Sequence, residues 1–269
     1  MIQLPVTYKT SSGNILVFNV TGVLMDRNDV PYVGPDDAKS LCGSCKGYNG
    51  GCPPFAPPFD KLKPSHEYMY VVCVTIDMSW STLYAGGKLR DNITTRGDKS
   101  RLNMYRIVYT DRLSERYVGR ILHALEARVD GYGLSVGNCA SCPGKCTVVK
   151  TGKCSKPVRR KYSMEATGIE CSSLHEMIFG ERLPWWYRTV QLPVYMARYS
   201  GVLIEHGWSE SCLDGELEKA CRADKSYDER LAIETANELM PSFPIIELTA
   251  PEGCYDEGMK YLAYEVFDE

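Results

Sequence analysis

Alternating apolar and polar positions open the chain. Residues 4–9 and 15–20 each read as a short strand, and Ser11, Ser12, Gly13 and Asn14 between them make a turn sequence, so the pattern predicts a hairpin. Residues 68–76 are β-branched, aromatic and apolar almost without interruption, which predicts a buried strand. From residue 113 the period lengthens. Leu113, Val118, Ile121, Leu122, Leu125 and Val129 recur mostly every three or four positions and predict a helix with one apolar face over 113–129. Gly131, Tyr132 and Gly133 should stop it, and a short strand at 134–136 leads on toward a cysteine-rich stretch.

Further along, Ser173 to Glu176 has capping-box spacing and predicts a short helix. Residues 199–204 resemble a strand. Ser226 to Glu229 repeats the capping pattern and opens a helix that Pro241 should end, with closing strands at 244–248 and 260–267. Strands interleaved with helices predict an α/β or α+β fold, a mixed sheet with flanking helices and two cysteine-rich metal-binding loops. The expected division is an N-terminal β hairpin extension at 1–33, a cysteine-rich core at 34–206 and a C-terminal α/β extension at 207–269.

Composition narrows the class. Of 269 residues, 44% are hydrophobic and 24% charged, an ordinary globular balance, and the net charge of -3 disfavours a nucleic-acid partner. The longest apolar stretch, residues 69–76, is far short of the ~20 residues that span a bilayer. The first ten residues lack a basic region followed by an apolar run, so no secretory signal is expected and the chain is expected in the cytoplasm. Twelve cysteines in such a chain point to metal binding or redox chemistry, because cytoplasmic thiols stay reduced.

Seven of the twelve are clustered. Cys139, Cys142, Cys146 and Cys154 follow a C-x2-C-x3-C-x7-C pattern, and short gaps let successive thiolates wrap one centre with little loop-closure cost. Soft thiolates suit iron–sulfur clusters or zinc, and four of them can complete a [4Fe–4S] cluster. Cys42, Cys45 and Cys52 form a second constellation, in which Gly43, Gly47, Gly50 and Gly51 allow tight backbone folding and aim amides at sulfur. Only three cysteines are local there, so Cys73, His66, a distant cysteine or a substrate is needed as fourth ligand. Each constellation has one CxxC followed by an unequal gap, unlike the paired CxxC units of zinc ribbons, which favours one or two iron–sulfur clusters per chain over zinc.

Lys145, Lys150, Lys153, Lys156, Arg159, Arg160 and Lys161 place seven cations within seventeen residues beside the four-cysteine motif. Such a run favours docking of an acidic electron donor or an anionic small-molecule substrate, or else keeps a loop solvated. Among the histidines, His175 is a candidate acid–base group, with a packing role as the alternative. No Ser/His/Asp motif, phosphate loop or dinucleotide fingerprint supports a rival catalytic class.

The segments CGSCKGYNGGCPP (42–54), NCASCPGKC (138–146), GKCSKP (152–157) and YSMEATGIE (162–170), in this order, resemble a family of small prokaryotic proteins known as predicted metal-binding proteins. The resemblance covers residues 33–206. It implies that the seven clustered cysteines belong to a metal site or sites and that Ser163, Met164 and Glu165 share a role. Glu165 is then a proton donor or a cap of the adjacent turn.

Three functions follow. The first is an iron–sulfur redox enzyme or electron-transfer component, the four-cysteine cluster relaying electrons and the three-cysteine site serving as a second cluster or substrate site. The second is a non-redox iron–sulfur enzyme, a dehydratase or desulfidase, using an open iron as Lewis acid. The third is a zinc-stapled binding or scaffold protein. The length beyond a simple carrier favours an enzyme.

Overall fold

A computed structural model of the chain describes residues 1–9, 15–34, 37, 50–78, 99–137, 139, 146–183 and 193–223. Five strands, β1 (Ile2–Lys9), β2 (Ile15–Asp26), β3 (Tyr68–Asp77), β4 (Tyr132–Leu134) and β5 (Tyr195–Ile204), form one sheet in the order β1-β2-β3-β5-β4. Every pairing in it is antiparallel. The fold is therefore α+β, and where a mixed sheet was expected the ladder is antiparallel. The hairpin is present, and β2 continues past it to pair with β3 from Phe18 opposite Ile76 to Asp26 opposite Tyr68.

Strand β3 is the centre of the molecule. Its alternate side chains serve two separate cores, which is why its sequence is apolar without alternation. Tyr70, Val72, Val74 and Ile76 pack with Phe18, Val20 and Val202 against a long helix, α1 (Lys99–Val129), through Tyr109, Tyr117, Ile121 and Leu125. Met69, Val71 and Cys73 face the other way, onto Val30, Phe59, Leu134, Met164, Leu174 and Tyr199. The first core is closed by a helix at Glu210–Ala223, whose Leu213, Leu217, Ala220 and Cys221 lie on one face. Tyr70, fully buried, donates its hydroxyl to Asp214 on that helix at 2.6 Å.

Several sequence expectations shift: the strand expected at 134–136 is β4, Tyr132–Leu134, and the one expected at 199–204 begins at Tyr195. Helix α1 begins at Lys99 rather than near 113. Its end is as expected: Asp130 takes a positive φ of 48° and Gly131 follows, where a Cβ would meet the Leu203 carbonyl at 2.7 Å. The helix around His175 runs Cys171–Phe179 and its N-cap is Glu170, not Ser173; the Ser173 hydroxyl instead donates to the Glu170 carboxylate at 2.7 Å. The cause is tertiary, since the Glu170 amide is tied to the Pro31 carbonyl at 3.0 Å and sets where the helix starts. The helix at Glu210–Ala223 was missed, although Ser209 accepts from the Cys212 amide and the i, i+4, i+7 apolar spacing is in the sequence. The elements expected at 226–241, 244–248 and 260–267 lie outside the described residues.

Candidate metal centre

The cysteine-bearing segment at 139–154 follows β4 in the chain. After β4 the chain leaves the sheet at Ser135 and returns beside it at Ser163. The Ser135 amide donates to the Tyr162 carbonyl at 2.8 Å and the Met164 amide to the Ser135 carbonyl at 3.2 Å. The segment holding Cys139, Cys146 and Cys154 is thus an excursion whose two ends are stapled side by side. Gly137, at a φ of 56°, starts it. Between Cys146 and Cys154 a single helical turn, α2 (Val148–Thr151), is closed by Gly152 at a φ of 70° and by the Thr147 hydroxyl donating to the Lys153 carbonyl at 2.8 Å. That turn occupies most of the seven-residue gap between the two cysteines.

The first cysteine segment docks against this excursion. The Ser163 amide donates to the Gly51 carbonyl at 3.2 Å. Arg160 donates from Nε to the Gly50 carbonyl at 2.8 Å and from a terminal nitrogen to the Phe55 carbonyl at 3.0 Å. The fit is tight enough to require glycine. A Cβ on Gly51 would sit 2.7 Å from the Lys161 carbonyl oxygen and 3.0 Å from Cys139 Cβ, and one on Gly50 would sit 3.2 Å from Cys146 Sγ. Cys52 follows Gly51 directly in the chain and is half-buried.

Two sulfurs receive backbone hydrogen bonds. The Gly50 amide points at Cys146 Sγ at 3.3 Å and the Lys161 amide at Cys139 Sγ at 3.4 Å. Amide donors of this kind stabilise thiolate ligands and tune a bound metal. Cys52, Cys139, Cys146 and Cys154 are all half-buried and none is in a disulfide. An all-sulfur donor set with amides aimed at it, in a cradle only glycine tolerates, fits a thiophilic metal centre. Cys42, Cys45 and Cys142 lie outside the described residues, and among the described residues no three His, Cys, Asp or Glu groups converge on one point.

The cation run divides in two. Arg160 and Lys161 turn inward. Besides its carbonyl bonds, Arg160 stacks over the Tyr162 ring at 4.9 Å, while Lys161 pairs with Glu126 on α1 and lies 5.3 Å from the Tyr132 ring centre. Burial, then the neighbouring Tyr162, pushes the Tyr132 phenol up. Lys150, Lys153 and Arg159 are exposed, Lys156 is half-buried, and Lys145 lies outside the described residues.

The remaining candidates fall elsewhere. Glu165 is exposed on a 3-10 turn and accepts from the Ser163 hydroxyl at 3.0 Å; that hydroxyl in turn accepts from the Ala166 amide, so the triplet builds a turn. His66 is mostly buried, with Nδ1 3.1 Å from the Ser65 hydroxyl. His175 has no exposed surface and lies between Tyr195 and Tyr199, while Cys73 is equally buried and shares its sheet face with Tyr199. Sequence reading missed these partners. The alternation of β5 puts Tyr195 and Tyr199 on one face, but nothing local says which helix covers them.

No curated protein and no solved structure matches the chain. Residues 33–204, well over half of the 269, match the family model described as Predicted metal-binding protein (DUF2284), and the chain belongs to that family.

Proposed function

We propose that this protein is an iron–sulfur redox enzyme or electron-transfer component. In this reading Cys139, Cys142, Cys146 and Cys154 hold a [4Fe–4S] cluster, and Cys42, Cys45 and Cys52 hold a second cluster or form the substrate site. The observation that carries it is the pair of amide-to-sulfur hydrogen bonds, Gly50 to Cys146 and Lys161 to Cys139. The first of these runs from the segment of Cys52 to Cys146, which supports reading the two constellations as neighbouring sites. When bound, an iron–sulfur cluster supplies one-electron transfer at a potential set by hydrogen bonds to its sulfurs and by nearby charge. The chain's own part is to hold those sulfurs in place. Arg160 pins the Gly50–Phe55 loop, and the stapled ends at Ser135 and Tyr162 fix the excursion. The surface cations Lys150 and Lys153 attract an acidic electron donor or an anionic substrate toward these sites.

A second reading follows from the first constellation having only three cysteines close together in sequence. Cys73, the next cysteine along the chain, is fully buried opposite Tyr199 inside the sheet core. Three-cysteine ligation then leaves a coordination position for a substrate hydroxyl, thiol or carbonyl, as in a dehydratase or desulfidase.

Iron, acid-labile sulfide and zinc measured on protein purified without oxygen test both readings. About eight irons and eight sulfides per chain support two clusters. Cys139→Ser and Cys45→Ser should each then lose a different half of the iron. Stoichiometric zinc without sulfide would overturn the iron–sulfur proposal and leave the cysteines a structural role.

A further inference from the structure

The second core, on the sheet face of Met69, Val71 and Cys73, holds a line of polar groups running from its interior to the surface. Cys73 stands at the middle of β3, directly opposite Tyr199 on β5, so the two side chains share one sheet face and the Tyr199 hydroxyl bears on the buried thiol. The Tyr199 hydroxyl meets Nδ1 of His175, on the helix Cys171–Phe179. His175 Nε2 lies 2.8 Å from the Tyr195 hydroxyl, four residues before Tyr199 on the same strand face. The Tyr195 hydroxyl donates to Glu181 Oε1 at 2.6 Å, and Glu181 is exposed just beyond the helix, after the Gly180 turn. Phe179, Leu174 and Met164 are among the apolar residues of the surrounding core. Three of these residues, Cys73, Tyr199 and His175, are buried in the apolar core, where polar groups without partners are costly.

Proton counting gives the chain one direction. A phenol has a single hydrogen, and Tyr195 spends it on Glu181, so Tyr195 accepts from His175 Nε2–H. A neutral imidazole has one N–H, so Nδ1 accepts, and Tyr199 must donate to it. Tyr199 then has only its lone pairs left for the Cys73 S–H. Every donor points outward, from Cys73 to Glu181. We infer that Cys73, Tyr199, His175, Tyr195 and Glu181 form an oriented proton relay that connects a fully buried thiol to a surface carboxylate.

The transfer balances without any co-reactant. The Cys73 S–H bond breaks as a new O–H forms on Tyr199, and the original Tyr199 hydrogen passes to His175 Nδ1. The Nε2 hydrogen passes to Tyr195, and the Tyr195 hydrogen to Glu181. One proton has moved from Cys73 to Glu181, leaving a thiolate inside and the imidazole in its other tautomer. The same steps reversed return it. Burial pushes the Cys73 thiol up to about 12 and lowers His175, so the neutral, outward-pointing arrangement is the resting one. A sulfur with no exposed surface thereby keeps an exchange route to solvent. This inference does not depend on which metal the cysteine loops hold.

The test is exchange of the Cys73 thiol proton. The S–H stretch of Cys73 is the infrared band missing from Cys73→Ala, and its replacement by S–D after transfer to D2O gives the rate. Glu181→Gln and Tyr195→Phe should each slow that exchange by about a hundredfold, the size of effect a positioned acid–base group has on proton transfer. Backbone amide exchange of β3 should be the same in all three proteins, because neither substitution touches that strand's ladder. Equal S–H rates in wild type and both variants would overturn the relay. So would an S–H rate that simply follows the β3 amide rate, since opening of the core would then account for it.

Discussion

The amide of Gly50 donates to the sulfur of Cys146 at 3.3 Å, across ninety-six residues of chain. The same glycine leaves room for that sulfur, since a Cβ in its place would stand 3.2 Å from it and 2.7 Å from the Val148 side chain. One residue therefore supplies both the hydrogen bond and the space, and ties the first cysteine segment to the second. The neighbouring contact is stricter, because what faces Gly51 is backbone.

Gly51→Ala should separate the two segments. Its Cβ would meet the Lys161 carbonyl and the Cys139 backbone, neither of which can swing aside like a flexible side chain. The cost is about 1–3 kcal/mol of stability. Because the Lys161 amide also serves Cys139 Sγ, metal content should fall in the same variant. Thermal unfolding together with metal analysis checks both. Full metal content with unchanged stability would refute the packing account.

Arg27 should prove one of the most costly surface-side truncations. Its guanidinium donates to four carbonyls, those of Phe59, Leu62, Lys63 and His66, and lies 4.9 Å from the Phe59 ring centre. It thereby closes the stretch that leads from the cysteine loop into β3. Arg27→Ala should destabilise by about 3 kcal/mol, and Arg27→Lys by much of that, because an ammonium cannot reproduce the planar fork. Denaturant midpoints of the two variants give the comparison.

Acid should weaken the fold before carboxylates titrate. Burial is the main cause that holds both His66 and His175 below the ordinary histidine value in the folded state. The unfolded chain, with histidines near about 6.5, therefore binds more protons. Their contribution to stability is complete above that value and is lost as pH falls from it toward the folded values. The unfolding midpoint should drop between about pH 7 and about pH 5.5, and His175→Gln should flatten the dependence. A midpoint that rises on acidification in this window would contradict the assignment.

Two glycines are open to improvement. At Gly119 in α1 and Gly215 in the helix Glu210–Ala223, an added Cβ would have nothing within 4 Å of it. Each change to alanine should stabilise by about 0.5–1 kcal/mol through helix propensity and a less free unfolded chain. Thermal midpoints of Gly119→Ala and Gly215→Ala measure it, and they also provide a reference against which the Gly51→Ala loss can be read.

What was legible beforehand was what local spacing encodes. The unbroken apolar run of β3 announced a strand buried on both sides, and both cores indeed use it. The apolar stripe from Leu113 to Val129 announced the second half of α1, and the glycines after it announced the stop. The first half was obscured because Thr110, Asp111 and Ser114 interrupt the period while Ile107 and Tyr109 still reach the core. The cysteine spacings marked candidate metal-binding segments, since a short loop closes at little entropic cost whatever the rest of the chain does.

Pairings between distant segments were not legible, because each depends on a register set by the whole sheet. That register put Cys73 opposite Tyr199, laid His175 over the pair, and turned a candidate surface acid–base group into the buried middle of a hydrogen-bonded line. It also split the cation run, drawing Arg160 and Lys161 inward to carbonyls and to Glu126 while Lys150 and Lys153 stayed in water. By itself, then, the amino-acid sequence determined the local elements and which donors the cysteine loops carry. Only the tertiary structure decided which segments meet, because side chains far apart in the chain become neighbours only once the strands have paired.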